Sequence, residues 1–498
     1  MGLTSLEARI EKLTALLDVG KAMASERNLD RLLQLILGEV TRVMEADRSS
    51  LFLVDRTRNE LHSKIAQGLA VREIRVQIGT GIAGFVAQTG EIVNIRDAYA
   101  DPHFNRATDL QTGYRTHTIL CVPMRNKLNE VIGVLQVLNK RDGIFSAEDE
   151  ELLLALSSQA AVAIENAILY EDIQNLFEGF IKASVYAIES RDPTTSGHSD
   201  RVAILTVGLA ERVDRTDLGP FASIRFSAED MRELRYASLL HDFGKVGVRE
   251  PVLVKARKLY EPDLDLVIAR FKFIKKTLEN DTLHKKLGLA LSLGSAAERE
   301  MAALDQELQR KLAELDAYLQ IILEADRPTV LPSGGFERIL EVAANTFEDL
   351  DGTRRPYLTT QEAENLTIGK GSLNPQERLE IESHVTHTFR FLRQIPWTKD
   401  LRRIPTIAYA HHEKLNGSGY PNALRGEAVP FQAKIMTVCD IYDALSAADR
   451  PYKKAVAPEA ALEILQMEVR DGLLDPELVR IFIEGQVWRL TQRMRTAA

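Results

Sequence analysis

Cysteine is scarce in this chain of 498 residues, which has only Cys121 and Cys439, far apart. Two thiols exclude a disulfide framework and a thiolate zinc site, and two small buried core residues are the simplest expectation. No uninterrupted run of about 18 apolar residues occurs. The opening MGLTSLEARIEKL carries Glu and Arg where a signal sequence needs an apolar stretch. A cytoplasmic protein without a membrane partner is expected. Basic charge is also short, with 63 Lys and Arg against 72 Asp and Glu for a net charge of −9. A broad basic face is therefore not expected, and no nucleic-acid polymer is a partner, although a small anion can still meet a local cluster of cations. Internal repeats and low-complexity segments are absent as well. What is there, 45% hydrophobic and 27% charged residues, suffices for two or three domains with full cores.

The chain begins with a helical stripe, Leu6, Ile10, Leu13, Leu16, Leu17 and Val19, which predicts an N-terminal helix within residues 1–28. A second helical pattern, LDRLLQLILGEVTRVME, follows. The period then shortens: SSLFLVDRTRNELHSKI reads as a hairpin, and VREIRVQI, EIVNI, HTILCVPM and VIGVLQVL read as strands. An α+β domain over residues 29–170 fits this alternation. Ser146 and Asp149 form a capping-box pattern at the start of an uninterrupted helix, 146–190. Leu153, Leu156, Ala160, Ala163, Ala167, Tyr170, Ile173 and Phe177 recur along it every three or four residues. Such a helix joins two domains and can pair with its twin in a parallel homodimer. Residues 180–498 read as almost entirely helical. SAAEREMAALDQELQRKLAELDAYLQIILEAD, with leucines on one face, reads as one leg of a helical hairpin.

The chemistry concentrates in the helical part. YASLLHDFGKVGV sets His241 beside Asp242, with Lys245 three residues on and Gly244 and Gly247 loosening the backbone. His411 and His412 are adjacent, about 100° apart on a helix, so both can turn toward one centre. Asp440 sits among apolar residues in AKIMTVCDIYDAL, where a buried carboxylate needs a partner. His198 and His384 complete a set of five imidazoles and two carboxylates, enough for two divalent ions with Asp242 bridging them. Mixed His and carboxylate ligation suits iron, manganese or zinc better than calcium or magnesium. Two such ions activate water and neutralise phosphoryl oxygens during in-line attack, which implies phosphoester hydrolysis.

LLHDFGKVGV, HHEKLNGSGYP and CDIYDALSAADRPYKK together resemble the HD-GYP branch of the HD-domain phosphohydrolases, which are bacterial cyclic-di-GMP phosphodiesterases. The resemblance spans residues 180–257 and 372–485. It implies an all-α HD-type phosphohydrolase domain over 180–498, with an extra helical insertion at 258–371 whose sole histidine, His284, reads as surface. It also implies metal ligation by His198, His241, Asp242, His384, His411, His412 and Asp440. Asp242 and Lys245 become the catalytic pair, Lys245 beside a substrate phosphate. Arg450 and Lys453 hold the other phosphate, and Gly419, Tyr420 and Pro421 form the GYP loop at the substrate. The family's usual Asp and Ala are replaced here by Asn416 and Cys439. A three-metal subset carries Glu where Thr194 stands, which favours two metals. The implied reaction is hydrolysis of cyclic-di-GMP to linear pGpG, and possibly to GMP. A non-catalytic cyclic-di-GMP receptor and a phosphohydrolase for cyclic GMP-AMP or guanosine polyphosphate stay open as alternatives.

Residues 29–170 resemble a GAF domain. Asn139, Lys140, Phe145, Asp149 and Glu150 match the signature of cyclic-nucleotide-binding GAF domains, which implies a cyclic nucleotide as partner. Physically, Lys140 can pair with Asp149 at the start of the long helix, a structural brace rather than a ligand contact. Cys121 lacks the neighbouring histidine seen beside chromophore-binding cysteines. The expected whole is multidomain: an α+β sensor, a long connecting helix and an all-α hydrolase with a helical insertion.

Overall fold

Alternating side chains build the sheet of the first unit. On the strand Ile119–Arg125, Leu120, Val122 and Met124 enter one apolar cluster, while Ile119 and Cys121 enter another on the opposite face. The computed structural model describes residues 14, 16–63, 74–106, 109–110, 113–192, 196–328, 334–447 and 456–492. They divide into two compact units, Met1–Gly179 and Phe180–Ala498. Of the N-terminal stripe, Leu6, Ile10 and Leu13 lie outside the described residues, whereas residues 16–25 are helical and bury Val19 and Met23.

The first unit runs α1 (Leu29–Val43), β1 (Ala46–Asp55), β2 (Glu60–Ser63), β3 (Ile74–Gln77), α2 (Gly81–Thr89), β4 (Val93–Ile95), β5 (Ile119–Arg125), β6 (Val131–Lys140) and the part of α3 (Ala147–Arg191) up to Gly179. The six strands form one antiparallel sheet in the order β3-β2-β1-β6-β5-β4. Asn28 caps α1 by accepting from the Arg31 amide at 3.0 Å. Leu32, Ile36, Leu37 and Val40 of α1, with Leu153, Leu156, Ala160 and Ile164 of α3, cover one sheet face, and α2 covers the other. The capping box forms: the Ser146 amide donates to Asp149 Oδ2 at 2.9 Å, and the Asp149 amide donates to Ser146 Oγ at 3.3 Å.

One expectation about α3 needs correction. Leu153, Leu156, Ala160, Ala163 and Ala167 are buried in this unit's own core, so they cannot face a twin helix. The helix also contains an 18-residue window of mean hydropathy 1.6, long and apolar enough by composition to cross a membrane, with half of that window buried inside the protein. Ser157, Ser158, Gln159, Glu165 and Asn166 interrupt the apolar residues of this helix, so it holds no continuous apolar run of that length.

In the second unit, α4 (His198–Asp214), α5 (Ala228–Leu240), α13 (Phe431–Ser446), α14 (Pro458–Arg470) and α15 (Pro476–Glu484) share a core of Leu205, Leu209, Leu234, Val438, Tyr442 and Phe482. The inserted stretch has its own core, including Phe271, Ile274, Leu315, Ile322, Ile339 and Leu366. It comprises the hairpin α6 (Glu261–Leu293) and α7 (Glu298–Ala325), α8 (Gly335–Ala344), strands β7 (Thr346–Glu348) and β8 (Arg354–Pro356), and α9 (Thr360–Leu366). The region is largely helical, as expected; the exception is this short two-stranded ribbon, where an Asp-Gly turn at 351–352 closes the pairing of Glu348 with Arg354. His284 is exposed on α6. At the root of the insertion, Lys255 Nζ lies 2.8 Å from both Glu377 oxygens, and Tyr260 Oη donates to Glu377 at 2.6 Å. Glu377 belongs to α10 (Pro375–Glu382), which leads into α11 (His384–Leu392). α12 (Ile404–Tyr409) completes the helices around the histidines.

Candidate metal centre

Five helix ends and helix faces converge on one buried point. His241 ends α5, His198 and His384 begin α4 and α11, His411 and His412 follow α12, and Asp440 lies within α13. Ring centroids are 5.3 Å apart for His198 and His241, 4.9 Å for His241 and His411, 4.0 Å for His411 and His412, and 5.3 Å for His384 and His412. All seven residues expected from the HD-GYP resemblance to ligate metal are therefore brought together.

The tautomers are set by the backbone. His241 Nδ1 lies 2.6 Å from the Ser238 carbonyl, His384 Nδ1 2.5 Å from that of Ile381, and His411 Nδ1 2.6 Å from that of Ala408. Each Nδ1–H donates three residues back, which leaves Nε2 as a lone pair. Those three Nε2 atoms are buried and have no hydrogen-bond partner. Orphaned acceptors in a buried site, aimed at one space, fit cations rather than one another.

Ligand atoms of His384, His411 and His412 fall within 4.8 Å of one another, as do those of His198, His241 and Asp242, and those of His241, His411 and Asp440. Asp242 spans two of these groups: Oδ1 is 3.2 Å from His384 Nε2, and Oδ2 is 3.5 Å from His241 Nε2. Burial pushes the His411 imidazole well below its ordinary value and takes His412 down to about 3. Burial works the other way on Asp242, but Lys245 and His241 hold its carboxyl well below the usual range. Neutral imidazoles and ionised carboxylates are the forms that bind metal.

His198 differs from the rest. Its Nε2 is 3.2 Å from Asp440 Oδ1 and its Nδ1 2.9 Å from Asp443 Oδ2. Burial opposes its charge, yet the hydrogen bonds to Asp440 and Asp443 raise it to about 9. Asp443, fully buried, also takes two hydrogen bonds from Arg201 Nε and one from Nη2. Neither Asp443 nor Arg201 was expected at the site. The available signal was a second carboxylate, three residues after Asp440, within the same apolar helix.

Lys245 is committed to carboxylates, 2.8 Å from Asp242 Oδ2 and 3.4 Å from Asp192 Oδ2. Arg450 and Lys453 lie outside the described residues, as does Thr194. The GYP loop folds against the site: the Tyr420 ring centroid is 4.8 Å from that of His412, and Glu413 accepts from the amides of Asn422 at 2.7 Å and Leu424 at 2.8 Å. Gly419 packs so closely on the backbone of residues 412–414 that no side chain fits, and Pro421 follows a cis peptide bond. Asn416 accepts from the Ser418 amide at 2.9 Å, which makes it a turn-former. Cys439 and Cys121 are fully buried, and burial raises both thiols.

Gly244 is the tightest point. A Cβ there would run into the His384 carbonyl oxygen and the Thr388 amide nitrogen, while Thr388 Oγ1 accepts from the Gly244 amide at 2.8 Å and donates to the His241 carbonyl at 3.0 Å. Gly244→Ala is expected to cost about 1–3 kcal/mol by overpacking and to separate His241 from His384. Thermal unfolding and metal quantification check this; a stable variant with undiminished metal content would contradict it.

In the first unit, the five signature residues all make internal contacts. Asn139, at φ +57°, accepts from the His117 amide at 2.6 Å and donates to the Arg115 carbonyl at 2.9 Å. Lys140 Nζ sits 3.1 Å from Asp149 Oδ1, Phe145 is buried, and Glu150 accepts from Asn94 at 2.7 Å. A separate cavity of about 190 Å³ opens between the sheet and α2, lined by Arg48, Phe52, Asn105, Asp109 and Tyr114 among others. The Arg48 guanidinium stands 4.0 Å over the Tyr114 ring. Buried Asp109 is fixed by the amide and hydroxyl of Thr116 at 2.7 and 2.9 Å.

The GAF-domain family model matches residues 28–164, and two HD-domain models match residues 195–329 and 361–478. The chain is thus a multidomain protein in which a GAF domain precedes HD-domain sequence. Among curated proteins, it is 36% identical over 172 residues to the probable 3′,5′-cyclic phosphodiesterase pde-5 of Caenorhabditis elegans, covering 32% of this chain and 24% of that one. It is 37% identical over 183 residues to the dual 3′,5′-cyclic-AMP and -GMP phosphodiesterase 11 of Drosophila melanogaster, covering 33% and 13%. The chain thus spans less than a quarter of these relatives' length. Among solved structures, the GAF domain of a phosphoenolpyruvate-protein phosphotransferase from Coxiella burnetii is similar at 24% identity and a TM-score of 0.31, over 33% of this chain and 98% of that one.

Proposed function

We propose that the protein is a metal-dependent phosphodiesterase of the HD-GYP type that hydrolyses cyclic-di-GMP to linear pGpG. The reading rests above all on Asp242, whose two oxygens face two different histidine groups. His198, His241, Asp242, His384, His411, His412 and Asp440 would hold two divalent ions, with iron or manganese ahead of zinc. Bound there, the ions supply Lewis acidity toward phosphoryl oxygens and lower the pKa of water. The protein's own part is to keep the imidazoles of His241, His411 and His412 neutral by burial, hold Asp242 ionised through Lys245, and press the Tyr420 loop on His412 at the edge of the centre. The GAF cavity, with an arginine, a fixed carboxylate and an aromatic wall, is proposed to take a cyclic nucleotide that regulates turnover.

A second reading, hydrolysis of a 3′,5′-cyclic mononucleotide, is suggested by the names of the curated relatives. The experiment is anaerobic purification, metal quantification and product analysis with cyclic-di-GMP, cyclic GMP-AMP, a guanosine polyphosphate, cyclic AMP and cyclic GMP. Linear pGpG from cyclic-di-GMP is expected, at a rate changed by added cyclic AMP or cyclic GMP. Hydrolysis of a mononucleotide with cyclic-di-GMP untouched would favour the second reading. Cyclic-di-GMP bound without any product would make the protein a receptor.

A further inference from the structure

Two side chains in the last turn of α3 fasten parts of the metal centre that their own backbone leaves loose. The first part is the start of α4. That helix opens on Gly197, at φ +66°, which has no side chain with which to cap it. The cap comes from outside, where Glu189 Oε2 accepts from the Gly197 amide at 2.9 Å. Burial raises the Glu189 carboxyl, and the amides of Gly197 and Ser199 act against that rise. The carboxylate thus attends the amides on both sides of His198, the first residue of α4.

The second part is the turn Phe243–Gly247, which directly follows Asp242 and carries Lys245. Within it the Lys245 amide donates to the Asp242 carbonyl and the Val248 amide to the Lys245 carbonyl, both at 3.0 Å. Gly244 and Gly247 make such a turn soft. Arg191 closes it: Nη1 donates to the Val246 carbonyl at 2.5 Å and Nη2 to the Val248 carbonyl at 3.1 Å. A planar guanidinium can hold two carbonyls in one fixed geometry, which a lysine cannot.

We infer that Glu189 and Arg191 are positioning residues of the metal centre, Glu189 for His198 and Arg191 for the turn that joins Asp242 to Lys245. Both act through backbone amides and carbonyls rather than through a ligand atom. The inference rests on the reading of this centre as a metal-dependent phosphodiesterase. The two roles lead to different losses. A shifted α4 start displaces one ligand and weakens metal binding. A loosened turn takes Lys245 out of register with Asp242 and slows turnover even when metal is saturating.

Three measurements on the full chain test this: Mn²⁺ titration of metal-free protein, turnover of cyclic-di-GMP at saturating Mn²⁺, and hydrogen exchange by segment. Glu189→Ala is expected to bind Mn²⁺ about 10- to 100-fold more weakly, with faster exchange confined to the start of α4. Glu189→Gln keeps an acceptor oxygen and is expected to stay near wild type. Arg191→Ala is expected to turn over about 10- to 100-fold more slowly, with faster exchange confined to residues 243–250. Arg191→Lys, which reaches one carbonyl at most, is expected to recover only part of that rate. Unchanged Mn²⁺ affinity in Glu189→Ala, or wild-type turnover in Arg191→Ala, would overturn the inference. So would exchange that quickens throughout the second unit, since the residues would then support the fold at large. Titration and exchange need no substrate, so a wild type inert toward cyclic-di-GMP would overturn the proposed reaction while leaving these two readouts to decide the positioning roles.

Discussion

Asp242→Asn is expected to empty the metal centre and lower turnover by on the order of 10³-fold or more. The substitution keeps shape and removes one charge from a site where that charge does two things. Its oxygens lie 3.2 Å from His384 Nε2 and 3.5 Å from His241 Nε2, so it joins the two histidine groups. It also neutralises Lys245 at 2.8 Å. With Asn, the buried ammonium loses its nearest carboxylate and is left with Asp192 at 3.4 Å and the more distant Asp440, and it adds repulsion toward any cation nearby. Lewis acidity at such a centre is worth several kcal/mol, and each 1.4 kcal/mol is about tenfold in rate, which sets the scale. Metal quantification and turnover on the same preparation check it. Undiminished metal content would remove Asp242 from the ligand set whatever the activity.

Most of this centre was legible because its parts are rare residues at revealing spacings. An adjacent His and Asp at the end of an apolar helix, a His pair, and a carboxylate inside AKIMTVCDIYDAL each need a partner if buried, and together they supply one another. What could not be read was the scaffolding around them. Thr388 ties the His241 carbonyl to the Gly244 amide through one hydroxyl, yet in sequence it is an ordinary helical threonine 147 residues from His241. The same limit applied to α3. Leucines and alanines every three or four residues predicted a seam, but periodicity cannot say which of two apolar faces the domain's own sheet will cover. Packing used Leu153, Leu156 and Ala160, and left Leu169, Ile173 and Leu176 outside. Strand order and the β7–β8 ribbon in the insertion likewise depend on contacts that no local pattern encodes.

Asp443→Ala is the larger expected effect on stability, because of what it leaves behind. Asp443 is fully buried and accepts from Arg201 Nε at 2.9 Å and Nη2 at 3.0 Å, and it lies 2.9 Å from His198 Nδ1. The Arg201 side chain is only 8% exposed, so without Asp443 its buried guanidinium loses the charge-assisted hydrogen bonds that Nε and Nη2 donate to that carboxylate. Breaking one side of such a buried pair costs about 3–5 kcal/mol, most of it the penalty of an uncompensated buried charge. The second unit's unfolding transition is expected to fall by roughly 5–10 °C. Removing both partners should be milder: Asp443→Ala/Arg201→Met leaves no orphaned charge and is expected to recover more than half of the loss. Metal content gives the second readout. His198 Nδ1 loses its fixed partner in both variants, so metal affinity should fall about 10- to 100-fold in each, even where stability returns. Calorimetry with metal titration separates the two effects. A double variant no more stable than the single would show that Asp443 matters for something other than Arg201, and unchanged metal affinity would show that His198 is oriented without it.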